Sequence, residues 1–370
     1  MVSNSFKNST AQDKKLSEQQ AFLNNQKEKI LVICPGRGTY AKQELGYLKR
    51  YHSDKSELIS SLDNYRGKQQ QTAISELDNR QDFVLKEHSR GDNASPLIYA
   101  CAYSDFLSID TNRYEVVAIT GNSMGWYIAM ACARALGVDQ AMQVINTMGN
   151  LMHESLIGGQ LIYPLVDENW RAIPGRRKQL KEIVEAINSR PECQLFTSIE
   201  LGGMLVFGGN NVALNQLTTQ LPSEQERFPM RLYNHAAFHT PLQSPISKIA
   251  LSRFDQALFD RPQVPMVDGR GQIWTPYSTS LQKLFDYTFG HQVVEHYDFT
   301  KAIEVSVKEF APDKLVILGP GKTLGGAVAQ SLINIQWQGM TCKQDFVERQ
   351  REKPLVLSMG MDEQRQLVTC

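Results

Sequence analysis

The chain has 370 residues, of which 42% are hydrophobic and 21% charged, so it can bury a large core and is not a disordered protein. Lys and Arg together number 39, as do Asp and Glu, and this balance gives no overall attraction to nucleic acid or to membranes. The longest strictly apolar run, residues 126–133, is far too short to span a bilayer, and the first residues lack the apolar core of a signal peptide. We therefore expect a soluble, cytoplasmic enzyme with no nucleic-acid or membrane partner.

The N-terminal part of the chain predicts a polar segment and then a buried strand. Residues 1–28 are rich in Asn, Gln, Ser and Lys and predict a flexible tail. The apolar run 30–34 predicts a strand that leads into the turn PGRG, and the charged stretch 50–95 predicts surface helices. An apolar helix is expected over 96–110, beginning after Pro96.

A second buried strand is predicted over 114–120, and it runs into the turn GNSMG at 121–125. An apolar helix follows this turn. Asp139 is expected to cap the N-terminus of the next helix, which reaches about His153.

Residues 158–228 predict a compact insert, because their apolar patterns follow the order strand, helix, strand, strand, helix, strand. This order is the ferredoxin-like pattern. Beyond the insert the patterns of the first part resume, with a helix near Pro241, a helix over 298–311 and the strand KLVILG. Residues 338–370 predict a polar C-terminal tail region.

The turn GNSMG carries the strongest chemical signal, because it fits the pattern G-x-S-x-G between a predicted strand and a predicted helix. In such a turn the serine hydroxyl is raised out of the sheet, and the next backbone N–H points at the carbonyl oxygen of a bound acyl group. A chance Gly-rich turn is the alternative, and the strand–turn–helix context favours a nucleophilic Ser123.

A serine nucleophile needs a base, and seven histidines are available. On pattern alone, His239 in AAFHTP and His291 compete for this role. The six cysteines are scattered and form no CxxC pair, so we expect neither a metal site nor a disulfide framework. CPGRGTYA imitates a dinucleotide fingerprint, and GPGKTLGG imitates a P-loop, but neither has the further residues that its pattern requires.

Four motifs together resemble the malonyl-CoA:acyl-carrier-protein transacylase family and the related acyltransferase domains of polyketide synthases. CPGRG resembles the family's FPGQG, GNSMG resembles GHSLG, AAFHTPL resembles GAFHTP, and LGPGKTL resembles VGPGKVL. The resemblance covers roughly residues 29–335, and an insert falls where the family has one. It implies an α/β fold with an α/β-hydrolase-like large subdomain on a parallel sheet, residues 29–157 and 229–337, and a ferredoxin-like small subdomain.

The resemblance also implies a role for each motif residue. Ser123 would carry the acyl group as an ester, and His239 would be its general base. The backbone N–H groups of Met124 and Arg37 would form the oxyanion hole. The substrates would be a coenzyme A thioester, from which the acyl group is taken, and an acyl carrier protein, whose phosphopantetheine thiol receives it. No bound cofactor or metal is implied.

Four substitutions separate this chain from the family pattern. Asn122 replaces the histidine before the nucleophile, and Arg37 replaces the glutamine of the first motif. Met148 aligns with the arginine that grips the malonyl carboxylate, and Asp298 aligns with the glutamine whose carbonyl orients the base. The first three would form part of the substrate site. Because Met148 offers no charge, we expect an uncharged acyl group; the alternative is that Arg37 serves as the counter-ion for a carboxylate.

Three other functions compete with acyl transfer. An editing hydrolase of acyl carrier proteins would use the same Ser–His pair. A non-catalytic scaffold would be favoured by loss of Ser123 or His239, and both are present. An α/β-hydrolase esterase would need an HGG-type motif, which is absent. For an acidic carrier protein, the candidate docking residues are the basic side chains of the insert: Arg171, Arg176, Arg177, Lys178 and Lys181.

Overall fold

The computed structural model describes residues 27–369, so most of the predicted tail, residues 1–26, lies outside the described part. Two sheets hold the strands, which are β1 (Glu28–Cys34), β2 (Tyr114–Gly121), β3 (Gly159–Pro164), β4 (Leu195–Leu201), β5 (Met204–Gly209), β6 (Met230–Leu232), β7 (Met266–Val267), β8 (Ile273–Trp274), β9 (Tyr297–Asp298), β10 (Lys314–Ile317) and β11 (Val356–Ser358).

Helices cover both sheets. They are α1 (Tyr47–Tyr51), α2 (Ser56–Lys68), α3 (Ile74–Asp78), α4 (Leu85–His88), α5 (Gly91–Phe106), α6 (Gly125–Cys132), α7 (Val138–Ser155), α8 (Arg176–Asn188), α9 (Asn211–Gln220), α10 (Ser244–Arg253), α11 (Leu281–Asp286), α12 (Gln292–Val294), α13 (Phe299–Phe310), α14 (Gly325–Asn334), α15 (Lys343–Glu352) and α16 (Asp362–Arg365). A π turn, Tyr287–His291, joins α11 to α12.

The large sheet has the strand order β11-β10-β1-β2-β7-β8, and all neighbours are parallel except β7 and β8. The centre of β1 is an unbroken apolar run because both of its faces are covered, as is usual for a parallel strand. Ile30 and Val32 pack with α5, α6 and α7 on one face, whereas Leu31 and Ile33 pack with α13 and α14 on the other.

The small sheet has the strand order β6-β3-β5-β4-β9. Its first four strands are antiparallel and carry α8 and α9 in the order expected of a ferredoxin-like unit. In chain order β6 is the last of these four strands, and it begins just after residue 228, where the insert was predicted to end. The short strand β9 pairs parallel with β4 and belongs to the chain that returns to the large subdomain, so it ties the two subdomains together.

Three predictions about the elements are wrong. Residues 338–370 are not a polar tail, because β11 adds an edge strand to the large sheet and Leu355 and Leu357 are fully buried. Helix α5 begins at Gly91, so Pro96 lies inside the helix, and the Asp92 carbonyl that its missing N–H leaves free accepts a hydrogen bond from Arg66 instead. Helix α7 begins after Gly137, and no side chain caps it, so Asp139 lies in the first turn instead.

Within residues 27–369, none of the helices combines the length and the apolar character needed to cross a bilayer.

Candidate active site

Ser123 lies in a sharp turn between β2, which ends at Gly121, and α6, which begins at Gly125. Its backbone has a φ of +56°, a left-handed conformation that side chains other than glycine seldom adopt. A methyl group at Gly121 would overlap the carbonyl oxygen of Gly125, and one at Gly125 would overlap that of Cys34 at the end of β1. Both glycines are therefore required by close packing of the turn, and the strain is local to the serine.

The structure brings Ser123 together with His239, although 116 residues separate them. Ser123 Oγ lies 2.7 Å from His239 Nε2. The other ring nitrogen, Nδ1, lies 2.5 Å from the backbone carbonyl oxygen of Gln292. A carbonyl oxygen can only accept, so Nδ1 carries the proton and donates it. Nε2 is then unprotonated and accepts the hydrogen bond from the serine hydroxyl, as a general base requires.

Burial sets the charge of this histidine. It lowers the pKa of His239 to about 4; the Gln292 carbonyl opposes this shift, and the nearby His296 and His291 add to it. His239 is therefore neutral at pH 7 and is able to take a proton from Ser123. The competing candidate, His291, lies in the π turn with its ring stacked on Tyr287, and Ser123 pairs with His239 instead.

Two backbone N–H groups border the serine. Met124 precedes the first residue of α6, and Arg37 lies in the turn after β1, which packs on the serine turn through Gly36 and Asn122. Among residues 27–369, neither the Met124 N–H nor the Arg37 N–H has a hydrogen-bond acceptor. Both are thus available to the oxygen of a bound acyl group, and the N-terminus of α6 adds a favourable field there. The side-chain oxygen of Asn122 is buried and also lacks a partner in this part of the chain.

A cavity of about 550 Å³ opens at Ser123 between the two subdomains. Its wall is mostly apolar and comes from α7 and from the small sheet. Four residues from α7 recur at helical spacing on one face: Ile145, Met148, Gly149 and Met152. Met148 thus lines the cavity, in keeping with its prediction as a substrate residue, and it brings no charge.

The side chain of Arg37 also reaches the cavity wall, but its guanidinium is already engaged. Nη2 donates to the backbone carbonyls of Ser89, at 2.7 Å, and of Asn234, at 3.0 Å, and Nη1 donates to the sulfur of Met152. Burial lowers the pKa of Arg37 to about 10, and Asp92 opposes this shift. The group is still a cation at pH 7, held in place by neutral acceptors.

The prediction that Asp298 orients the base is wrong. The side chain of Asp298 accepts a hydrogen bond from the backbone N–H of Lys301, at 2.8 Å, and caps α13. His239 is instead oriented by Gln292, which lies six residues before Asp298 in the chain. Its carbonyl holds His239, and its side-chain amide donates to the backbone carbonyl of Ser123. A glutamine buried among apolar neighbours in HQVV was the only sequence signal for this residue.

The predicted basic patch is partly neutralised. Arg176 is buried and bonded to Glu224 and Tyr163, and Arg177 makes two 2.8 Å hydrogen bonds to Glu200. These two residues are therefore removed from the predicted set. The exposed lysines of α8 face acidic residues one turn away. An exposed arginine that sequence reasoning missed, Arg227, lines the cavity, with its guanidinium over the Phe228 ring.

Within residues 27–369, no three His, Cys, Asp or Glu side chains are grouped so that they could hold a metal ion.

The chain is similar to known acyltransferases. It is 19% identical over 210 residues to the malonyl CoA-acyl carrier protein transacylase of Buchnera aphidicola subsp. Schizaphis graminum, a match that covers 56% of this chain. The acyl-carrier-protein S-malonyltransferase of Burkholderia pseudomallei superposes with a TM-score of 0.71 at 14% identity, covering 92% of this chain and 98% of that one. A complex of a type II polyketide synthase acyl-carrier protein with its malonyl-transacylase gives a TM-score of 0.65 at 17% identity, covering 82% and 93%. No protein-family model matches the chain.

The match spans 65% of the length of the curated relative. Because these sequence identities are low, the similarity to the solved structures shows only that the fold is shared. The predicted α/β fold class is confirmed, and so is the resemblance to the malonyl-CoA:acyl-carrier-protein transacylase family that the four motifs indicate.

Proposed function

We propose that this chain is an acyltransferase that moves an acyl group from coenzyme A, through an ester on Ser123, to the phosphopantetheine thiol of an acyl carrier protein. The observation that carries the proposal is the 2.7 Å contact between Ser123 Oγ and the unprotonated Nε2 of His239, at the floor of a cavity large enough for an acyl group and part of a pantetheine arm. The names of the similar proteins supply the substrate class.

In the first half-reaction His239 Nε2 takes the hydroxyl proton as Ser123 Oγ bonds to the thioester carbonyl carbon. The N–H groups of Met124 and Arg37 stabilise the oxyanion, and the Gln292 carbonyl stabilises the imidazolium through Nδ1. The C–S bond then breaks, and the proton passes to the departing thiol. In the second half-reaction the carrier thiol gives its proton to His239 and attacks the ester, and Ser123 leaves with the proton restored.

The acyl group of this proposal is uncharged. Met148 gives the cavity wall an apolar surface, and Arg37 would have to break hydrogen bonds to two carbonyls to swing toward a carboxylate. The hydrogen-bonded state of Arg37 therefore supports the interpretation in which it is not the counter-ion. An unpaired carboxylate in this wall would cost several kcal/mol, which amounts to orders of magnitude in affinity.

The proposal is tested by intact-protein mass spectrometry after mixing with a panel of acyl-CoAs, with and without acyl carrier protein. We expect an acyl adduct that passes to the carrier, and no adduct in Ser123→Ala. His239→Ala is expected to slow adduct formation by about 10²–10⁴-fold. An adduct lost to water at the same rate with or without carrier would identify a hydrolase instead. Full turnover by Ser123→Ala would overturn the proposal.

The proposed partner of the chain is an acidic carrier protein. The positive charge of Arg227 at the cavity mouth is complementary to such a protein. Arg227→Glu is expected to raise the KM for the carrier several-fold and to leave acyl-CoA kinetics unchanged. Arg190→Glu is the matched control, since Arg190 is exposed and does not line the cavity. Equal carrier kinetics in both variants would remove Arg227 from the docking surface.

A further inference from the structure

A second histidine, His235, lines the cavity beside the reactive pair, and the proposed reaction does not use it. It follows β6 and precedes His239 by four residues. Its side chain is partly buried, and a Cβ at Gly38 would come within 3.9 Å of its Nε2 atom. His235 therefore stands at the wall formed by the turn after β1.

A chain of hydrogen bonds fixes the protonation of this ring. Ser198 Oγ donates its only proton to the backbone carbonyl of Phe238, at 2.7 Å, so it must accept the 2.7 Å hydrogen bond from Gln160 Nε2. The other end of that amide, Gln160 Oε1, then faces His235 Nδ1 at 3.1 Å and can only accept. The His235 proton is thus on Nδ1, and Nε2 presents a lone pair.

That lone pair has no hydrogen-bond partner in the described part of the chain. Among residues 27–369, no donor lies within hydrogen-bonding distance of His235 Nε2, and this atom is not sealed off in the core. Burial and the charge of Arg37 lower the pKa of His235 to about 3, so the ring stays neutral and cannot supply a donor of its own. Arg37 donates to the backbone carbonyl of Asn234, the residue next to His235.

We propose that His235 is a specificity-determining residue that accepts a hydrogen bond from a hydroxyl group on the acyl chain, so that the preferred substrate is a hydroxyacyl thioester. This inference rests on the proposed acyl transfer. A hydroxyl group suits the site because it can donate to His235 Nε2, which an ionised carboxylate cannot do. An unsubstituted chain would desolvate Nε2 and leave it unpaired.

The position of the site assigns the donor to the acyl chain rather than to the pantetheine arm. Arg37 also contacts Met152, which with Ile145 and Met148 forms the apolar α7 wall of the cavity, a surface suited to an acyl chain. His235 and Arg37 therefore lie at the acyl end of the cavity. A residue that read the pantetheine arm would affect all acyl groups equally.

The test compares butyryl-CoA with 2-hydroxybutyryl-CoA and 3-hydroxybutyryl-CoA as donors, with adduct formation followed by mass spectrometry. We expect the native protein to prefer one hydroxy isomer over butyryl by about 10- to 100-fold in kcat/KM, the usual penalty of an unpaired buried acceptor. His235→Leu should bring this ratio close to one. His153→Leu, which changes an exposed histidine of α7, should leave the ratio as in the native protein.

Three results would overturn the inference. The first is a native protein that takes butyryl as readily as either hydroxy isomer, a result that needs no variant to fold. The second is a preference for a hydroxy isomer that survives His235→Leu. The third is an equal loss with all three donors in His235→Leu, which would assign His235 to the pantetheine arm. Because all these outcomes require adducts, they are distinct from failure of the proposed function, in which no donor labels Ser123.

Discussion

The burial of His239 predicts an unusual pH profile for acylation of Ser123. With a pKa of about 4, about 90% of His239 is neutral at pH 5, whereas a histidine with the ordinary value of 6.5 would be only about 3% neutral. The kcat/KM for adduct formation, which reports the pKa of the base in the free enzyme, should therefore be nearly flat from pH 7 to pH 5 and should fall only near pH 4.

The assay is rapid-quench mass spectrometry of the acyl adduct between pH 4 and pH 8. The same shift affects stability, because the unfolded histidine takes up a proton below pH 6.5 and the folded one does not until pH 4. The free energy of unfolding is therefore lowered by about 2 kcal/mol at pH 5, and circular dichroism must show that the protein is still folded there.

Asp298→Asn is the matched control. The Asp298 carboxylate caps α13 and does not reach His239, and asparagine is also a good capping residue. Its profile should overlay that of the native protein. The reasoning would be refuted by an acid limb near pH 6.5 in the native protein, which would mean a solvated base. A profile that changed with Asp298→Asn would mean that this carboxylate does orient the base.

Other predictions concern the serine turn, the acyl wall and the C-terminal segment. Gly121→Ala should abolish the adduct and lower the melting temperature, because the added methyl overlaps the Gly125 carbonyl; normal labelling would contradict this packing. Met148→Arg should allow malonyl-CoA to label Ser123. If it does not, the lack of charge in the cavity wall is not what excludes a carboxylate. Arg365→Leu removes a buried partner of Asp105 and should cost about 3–5 kcal/mol in urea unfolding, whereas a loss below 1 kcal/mol would show that the pair is not stabilising.

The α/β class and the position of the serine turn could be predicted from the sequence alone. Both features depend on short stretches of the chain. An unbroken apolar run predicts a strand covered on two faces, and two glycines predict a turn in which the backbone leaves no room for a side chain. The strand and helix order of the insert was visible for the same reason, since each element carries its own periodicity. The sequence offered two candidates, His239 and His291. The motif AAFHTP favoured His239, which the structure places beside Ser123.

The group that holds His239 and the place of the C-terminal segment depend on long-range packing and became visible in the folded chain. Gln292 orients His239 through a backbone carbonyl, which every residue possesses, so no residue type marks the position, and the alignment with the family pattern assigned this role to Asp298 instead. Residues 338–370 are polar on average, yet Val356–Ser358 joins the large sheet and Arg365 reaches Asp105 from 260 residues away. Arg37 is likewise held by carbonyls from distant turns. Such partners are brought together by long-range packing, which no local pattern of residue types records.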